Sequence, residues 1–306
     1  MRILIVGAGA VGGYFGSQLI AAGADVTFLV RPAKAEQLFA TGLVIIDPEG
    51  RRETTHVTTV TADSLGVGWD LILLAVKATA LDGALADISP AVTRDTAILP
   101  FLNGIDHLET LSTRFGRQHV LGGVAVVAAE LTEHEEIALL APGASIGFGE
   151  LDGHMTDRVS RIANSFAPAA LESSVSDSII QDMWEKWHFM AAGGAATTLL
   201  GGSVGQIVST PGGLQSIERI IDEASAIQQA EGHSPRAAAL SRTRAILTQP
   251  GSGFTTSMYR DFAAHRRTEG ETILGSLLFR GAEHQIATPL LEAATVKLRI
   301  FDAIHA

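Results

Sequence analysis

The chain has 306 residues, 46% of them hydrophobic and 18% charged, a globular composition that excludes a disordered chain and suits about two domains of ~150 residues each. Twenty-two Lys and Arg against 33 Asp and Glu leave a net charge of −11, which argues against nucleic acid and anionic lipid as partners but permits a local basic pocket for a small anion. With no cysteine, disulfide frameworks, thiolate nucleophiles and Cys-ligated metals are excluded, which fits a cytoplasmic protein; no apolar run reaches the ~18 residues of a membrane span.

Arg2 to Val6 (RILIV) reads as a strand and not as a signal peptide, since its apolar stretch Ile3 to Val6 follows a single Arg with no h-region and no cleavage pattern. With Asp25 to Val30, Asp70 to Val76 and Thr96 to Phe101 it makes four near-continuous apolar runs, as strands buried on both faces of a parallel sheet require. Val11 to Ala22 and Ala33 to Ala40 have helical spacing between them. Val44 to Val60, turning at Asp47-Pro48-Glu49-Gly50, reads as a hairpin hung on that sheet. Gly122 to Leu131, Ile137 to Ala141 and Ser145 to Gly149 read as three further extended segments, the last two separated by Pro142-Gly143. Beyond residue 175 the texture is helical throughout. Thr210-Pro211, Ser234-Pro235 and Thr288-Pro289 each predict a helix start. Ile217, Ile220, Ile221, Ala224 and Ile227 predict one buried helix face, and the small residues of Ala191 to Gly202 suit close helix packing. The expected architecture is α/β: an N-terminal Rossmann-type doubly wound domain over residues 1–175, then an all-α domain over 176–306 for substrate and dimerisation, with a ligand cleft between them.

Gly7-Ala8-Gly9-Ala10-Val11-Gly12 is G-x-G-x-x-G placed directly after a strand and opening a helix, the context in which the pattern binds a dinucleotide pyrophosphate. Gly7 makes the tight turn, Gly9 admits the phosphates to the backbone and Gly12 lets helix and strand approach. Strand two runs into Arg31, where an NAD site usually has an acid; a cation there suits a 2′-phosphate, so NADPH is the expected cofactor. Lys77, past the third core strand, is a second candidate phosphate or ribose contact, and Lys34 a reserve cation. Asn103, followed by Gly104, can present an amide to nicotinamide or substrate, or be simply a turn. Ten histidines show no ligand spacing, so no metal is expected.

These motifs together resemble the ketopantoate reductase (2-dehydropantoate 2-reductase) family over nearly the whole chain. The resemblance runs from GAGAVGGYFGSQLIAAGADVTFLVR through Val76-Lys77-Ala78, Leu102-Asn103-Gly104 and Trp184-Glu185-Lys186 to Ser257-Met258-Tyr259-Arg260-Asp261, Arg267-Thr268-Glu269 and Ala287-Thr288-Pro289. It implies NADPH-dependent reduction of a 2-oxo acid, a place in pantothenate biosynthesis and a homodimer. It also implies Lys186 as catalytic lysine, Glu269 as its acidic partner, Ser257 and Asn103 as substrate-binding residues and Arg31 as the cofactor-phosphate arginine. Such a lysine is chemically apt, because hydride delivery to a ketone leaves charge on oxygen that an ammonium can protonate or stabilise. Three positions where the family usually carries asparagine hold Met190, Gly194 and Phe254. Met190 is therefore expected to line an apolar substrate pocket, Gly194 to give it room, and the substrate to be a 2-oxo acid without a terminal hydroxyl. The alternatives are a related dehydrogenase of another hydroxy or imino acid, or a nucleotide-binding sensor without chemistry.

Overall fold

The computed structural model describes residues 1–305 and divides into two compact units: Met1–Leu102 with His107–Asp182, and Asn103–Asp106 with the chain from Met183 onward.

In the first unit the elements are β1 (Arg2–Val6), α1 (Ala10–Ala21), β2 (Asp25–Leu29), α2 (Pro32–Thr41), β3 (Leu43–Ile46), β4 (Arg52–Thr55), β5 (Thr58–Val60), β6 (Leu71–Leu74), α3 (Leu81–Ile88), β7 (Ala97–Pro100), α4 (His107–Phe115), β8 (Leu121–Leu131), β9 (Ile137–Glu150), α5 (Asp157–Phe166) and β10 (Glu172–Val175). One sheet has the order β5-β2-β1-β6-β7 with every pairing parallel. All five strands therefore end on one edge, where ligands of open α/β sheets bind. The apolar runs are strands buried on both faces: Ile3, Leu4, Ile5 and all of β6 are fully buried.

Two details depart from the sequence reading. Val44 to Val60 is not one hairpin on the parallel sheet. β3 and β4 do pair antiparallel, but β3 joins β9 in a second sheet, while β5 crosses to the edge of the first beside β2. A three-residue edge strand has one unpaired side and needs no apolar run, so nothing in its composition marks it. Second, Ile137 to Ala141 and Ser145 to Gly149 are one continuous strand. The β8–β9 ladder passes from Val127↔Ala144 to Ala129↔Leu139, so Pro142-Gly143 falls in a bulge, where a missing N–H breaks no ladder bond.

Helix α1 is packed by its glycines. A Cβ on Gly16 would lie 2.3 Å from Phe28 Cζ, and one on Gly13 would lie 2.5 Å from Ile137 Cδ1. The helix thus touches the first sheet through one face and β9 of the second through another. The hydrophobic core follows this sandwich, with Phe15, Phe28, Leu121, Ile146 and Phe148 all buried.

The division falls inside α6 (Ile179–Leu200), after which come α7 (Val204–Ser209), α8 (Gly213–Ala230), α9 (Ala237–Leu247), α10 (Ser257–Ala263), a π-helical turn (Glu271–Gly275), α11 (Ser276–Glu283) and α12 (Pro289–Ile304). The predicted isoleucine face of α8 is fully buried. The small-residue stretch is helix packed closely: a Cβ on Gly193 would meet Thr256 at 3.1 Å. Only one of the three Ser/Thr-Pro steps starts a helix as expected. Thr288 is the N-cap of α12 with Pro289 at its first position, whereas Gly212 and Arg236 precede α8 and α9. Thr210 instead donates its hydroxyl to Gln206 O, closing the end of α7. Among the described residues no helix is long and apolar enough to cross a membrane, and no three metal-ligating side chains cluster.

Candidate active site

In the first unit the site begins where β1 meets α1. Gly7 has φ +96°, which a side chain would strain, and a Cβ on Gly12 would lie 2.2 Å from Gly7 O. A Cβ on Gly9, by contrast, would meet nothing within 4 Å. The loop is closed on the protein side and open on the other. Gly9 is also the N-cap of α1 and offers no side-chain cap, so the first N–H groups of the helix are left for an external acceptor. This cradle fits a dinucleotide pyrophosphate, which Ala8, Ala10 and Val11, the residues between the glycines, can also meet through their backbone.

β2 delivers the chain to Arg31, the N-cap of α2, with Pro32 at the first helical position. Arg31 is exposed and its guanidinium has no partner among the described residues. Lys34, one turn on, is committed to Glu135 at 2.7 Å. Lys77 is exposed just beyond β6, at the same carboxyl edge.

The second unit holds another group. Lys186 sits on α6, half-buried between Trp184 and Trp187, each only 1% exposed. Those indoles are core, so Lys186 does not snorkel over them to water. Desolvation pulls its pKa down from 10.5 to about 8, and the Glu269 carboxylate opposes part of that shift. Asn103 donates its side-chain amide to Glu269 Oε2 at 3.0 Å. Glu269 lies two residues before the π-helical turn, whose Ile273 carbonyl accepts the Trp187 indole N–H at 2.9 Å. Wide turns of this kind leave carbonyls without a ladder partner and recur at functional sites; here the residue next to Lys186 satisfies one of them.

Lys186, Glu269 and Asn103 are thus brought together. Ser257 is not joined to them: it is exposed in the first turn of α10, and the neighbouring Thr256 caps that helix by accepting from Tyr259 N at 3.2 Å. Met190, one turn along α6 from Lys186, is half-buried. Gly194 provides no extra room, because a Cβ there would lie 3.0 Å from Met258 Sδ. Phe254 is half-buried with its ring 5.9 Å from that of Phe189. Sequence reasoning missed the π-helical turn and the Trp187 contact; the i, i+3 spacing of two tryptophans was the available sign of a buried face.

A glycine cradle at the carboxyl edge of a parallel sheet, and a desolvated lysine beside an anchored carboxylate, define a dinucleotide-binding oxidoreductase. Residues 3–153 match the ketopantoate reductase PanE/ApbA family and residues 178–301 its C-terminal domain. The chain belongs to the ketopantoate reductase PanE/ApbA family. It is 33% identical over 303 residues to the uncharacterized oxidoreductase YkpB of Bacillus subtilis, covering 99% of each chain. It is 28% identical to the 2-dehydropantoate 2-reductase of Halobacterium salinarum, over 98% of each. The crystal structure of 2-dehydropantoate 2-reductase from Geobacter metallireducens superimposes with a TM-score of 0.87 at 28% identity, over 98% of this chain and 99% of that one.

Proposed function

We propose that this protein reduces a 2-oxo acid to the 2-hydroxy acid with NADPH. The observation that carries the reading is Lys186, desolvated to a pKa of about 8 next to a carboxylate that Asn103 holds in place. When bound, the reduced nicotinamide supplies the hydride. The chain's own residues do the rest: the loop from Gly7 to Gly12 and the first turn of α1 bind the pyrophosphate, Arg31 the 2′-phosphate and Lys77 a further phosphate or ribose oxygen. The Lys186 ammonium donates its proton to the carbonyl oxygen as charge develops there. Glu269 keeps that ammonium charged and oriented, and Ser257 hydrogen-bonds the substrate carboxylate. The 2-dehydropantoate 2-reductase named among the relatives supports this reaction class and a place in pantothenate biosynthesis. We place the enzyme in the cytoplasm as a homodimer.

The half-buried apolar surfaces of Met190 and Phe254 favour a substrate without a terminal hydroxyl, since a buried hydroxyl left unpaired costs about 1–3 kcal/mol. NADPH oxidation with a panel of 2-oxo acids tests the reaction. Within it, kcat/KM for 2-oxo-3,3-dimethylbutanoate should exceed that for ketopantoate, and Met190→Asn should shift the ratio toward ketopantoate. A wild-type preference for ketopantoate rejects the apolar pocket, and no turnover of any 2-oxo acid rejects the reaction.

A further inference from the structure

We propose that Arg280 and Asp106 form a clamp that positions Asn103 against Glu269, so that Arg280 is a positioning residue for the lysine site; this rests on the site reading above. Residues 103–106 pack with the helical unit although the chain on both sides of them belongs to the other. Among the described residues three side-chain hydrogen-bond pairs tie them there. Asn103 donates to Glu269 at 3.0 Å, Arg280 Nη2 donates to Asp106 Oδ1 at 2.7 Å, and the Ser276 hydroxyl donates to Asp106 Oδ2. Both oxygens of Asp106 are therefore held from α11. Gly104 lies between the two anchors in a left-handed turn with φ +76°, where a Cβ would stand 3.7 Å from Thr272 O in the π-helical turn.

Arg280 is itself fixed on three sides. Its Nη1 donates to Glu231 Oε2 at 2.8 Å, and His284 meets the other Glu231 oxygen at 2.9 Å. Its guanidinium stands 5.7 Å from the Trp184 ring and 5.8 Å from the Trp187 ring, the residues that flank Lys186. A lone exposed ion pair contributes little stability, but a planar guanidinium held by a second carboxylate and two indoles is a fixed post. Only Gly104 and Ile105 separate Asp106 from Asn103, so movement at one is passed to the other, and a misplacement near 1 Å at a reacting site costs about 100-fold in rate.

Selective labelling gives a direct test, because Asn103 and Asn164 are the chain's two asparagines. With ¹⁵N-asparagine the side-chain NH₂ region contains two pairs; the one lost in Asn103→Ala belongs to residue 103, and the Asn164 pair, from α5, reports on folding. In Arg280→Met and Asp106→Ala the Asn103 pair should move toward its free-solution position and exchange with water faster by about tenfold, as for an amide freed from a charged acceptor, with the Asn164 pair unmoved. In turnover, Arg280→Met should lower kcat by about tenfold or more with KM for NADPH unchanged, and should cost less than about twofold further in the Asn103→Ala background. An Asn103 pair that stays put in both variants, or fully additive losses in kcat, overturns the clamp. If Arg280→Met disturbs the Asn164 pair, Asp106→Ala, at an exposed position, decides alone. Should no 2-oxo acid be turned over, the reaction assignment fails while the resonances still accept or reject the clamp.

Discussion

Lys186 carries the most chemistry per side chain. With its pKa near 8, the protonated form that the proposed reduction needs dominates at neutral pH and disappears above it. The rate of reduction, read as kcat/KM, should therefore fall about tenfold per pH unit above pH 8. Lys186→Ala should lower kcat by about 10² or more and abolish that alkaline limb, with dinucleotide affinity nearly intact; an unchanged limb in the variant would assign the proton to another group. In the proposed reaction Arg31 acts on cofactor choice. Since Lys34 is committed to Glu135, Arg31→Ala should weaken NADPH at least tenfold, about 1.4 kcal/mol, and leave NADH nearly untouched. Equal losses for both nucleotides in a fluorescence titration would remove Arg31 from the 2′-phosphate.

At the scale of elements, the glycines of the β1–α1 junction divide into those that serve a ligand and those that serve packing. Gly9→Ala meets open space, so its melting temperature should match the wild type while dinucleotide affinity falls. Gly12→Ala drives a methyl against Gly7 O at 2.2 Å and should lose affinity and about 1–3 kcal/mol of stability together. Calorimetry beside nucleotide titration separates the two. This junction was legible in sequence because it is local: strand, glycine spacing and helix lie within 21 residues of chain. The buried isoleucine face of α8 was legible for the same reason, since one period decides it. β5 and the bulge in β9 were not, because each is set by a partner strand distant in sequence. Capping failed as a guide at Thr210 and Ser234 because a hydroxyl-proline step is satisfied by any nearby acceptor, and Thr210 found one in the helix before it.

Across the whole molecule, the desolvated lysine is a cost that folding bears. Its folded pKa of about 8 lies below the ordinary 10.5, so between those values the unfolded chain holds the proton more tightly and stability rises with pH. Below pH 8 the full cost is present. Lys186→Met should accordingly melt higher than the wild type at pH 7, with the gap closing as pH approaches 10; a lower melting temperature at pH 7 would mean that Glu269 returns more than desolvation takes. The same scale explains why the site was only partly readable. Lys186, Glu269 and Asn103 are linked in sequence only through family motifs, since the separation of 166 between Asn103 and Glu269 carries no periodicity that could join them. Ser257 came from the same motifs and is exposed in the first turn of α10.

The tetrapeptide Asn103–Asp106 also bears on modularity. The family's two sequence domains, matching residues 3–153 and 178–301, suggest that one cut would separate a nucleotide module from a helical one. A fragment starting at Met183 would nonetheless leave behind four residues that its own contacts claim, and with them the acceptor of Arg280 and the amide on Glu269. The helical half cannot be exchanged between relatives as a single contiguous cassette. A working chimera has to carry the graft's own loop after β7 along with it, two crossovers more than the linear domain map suggests.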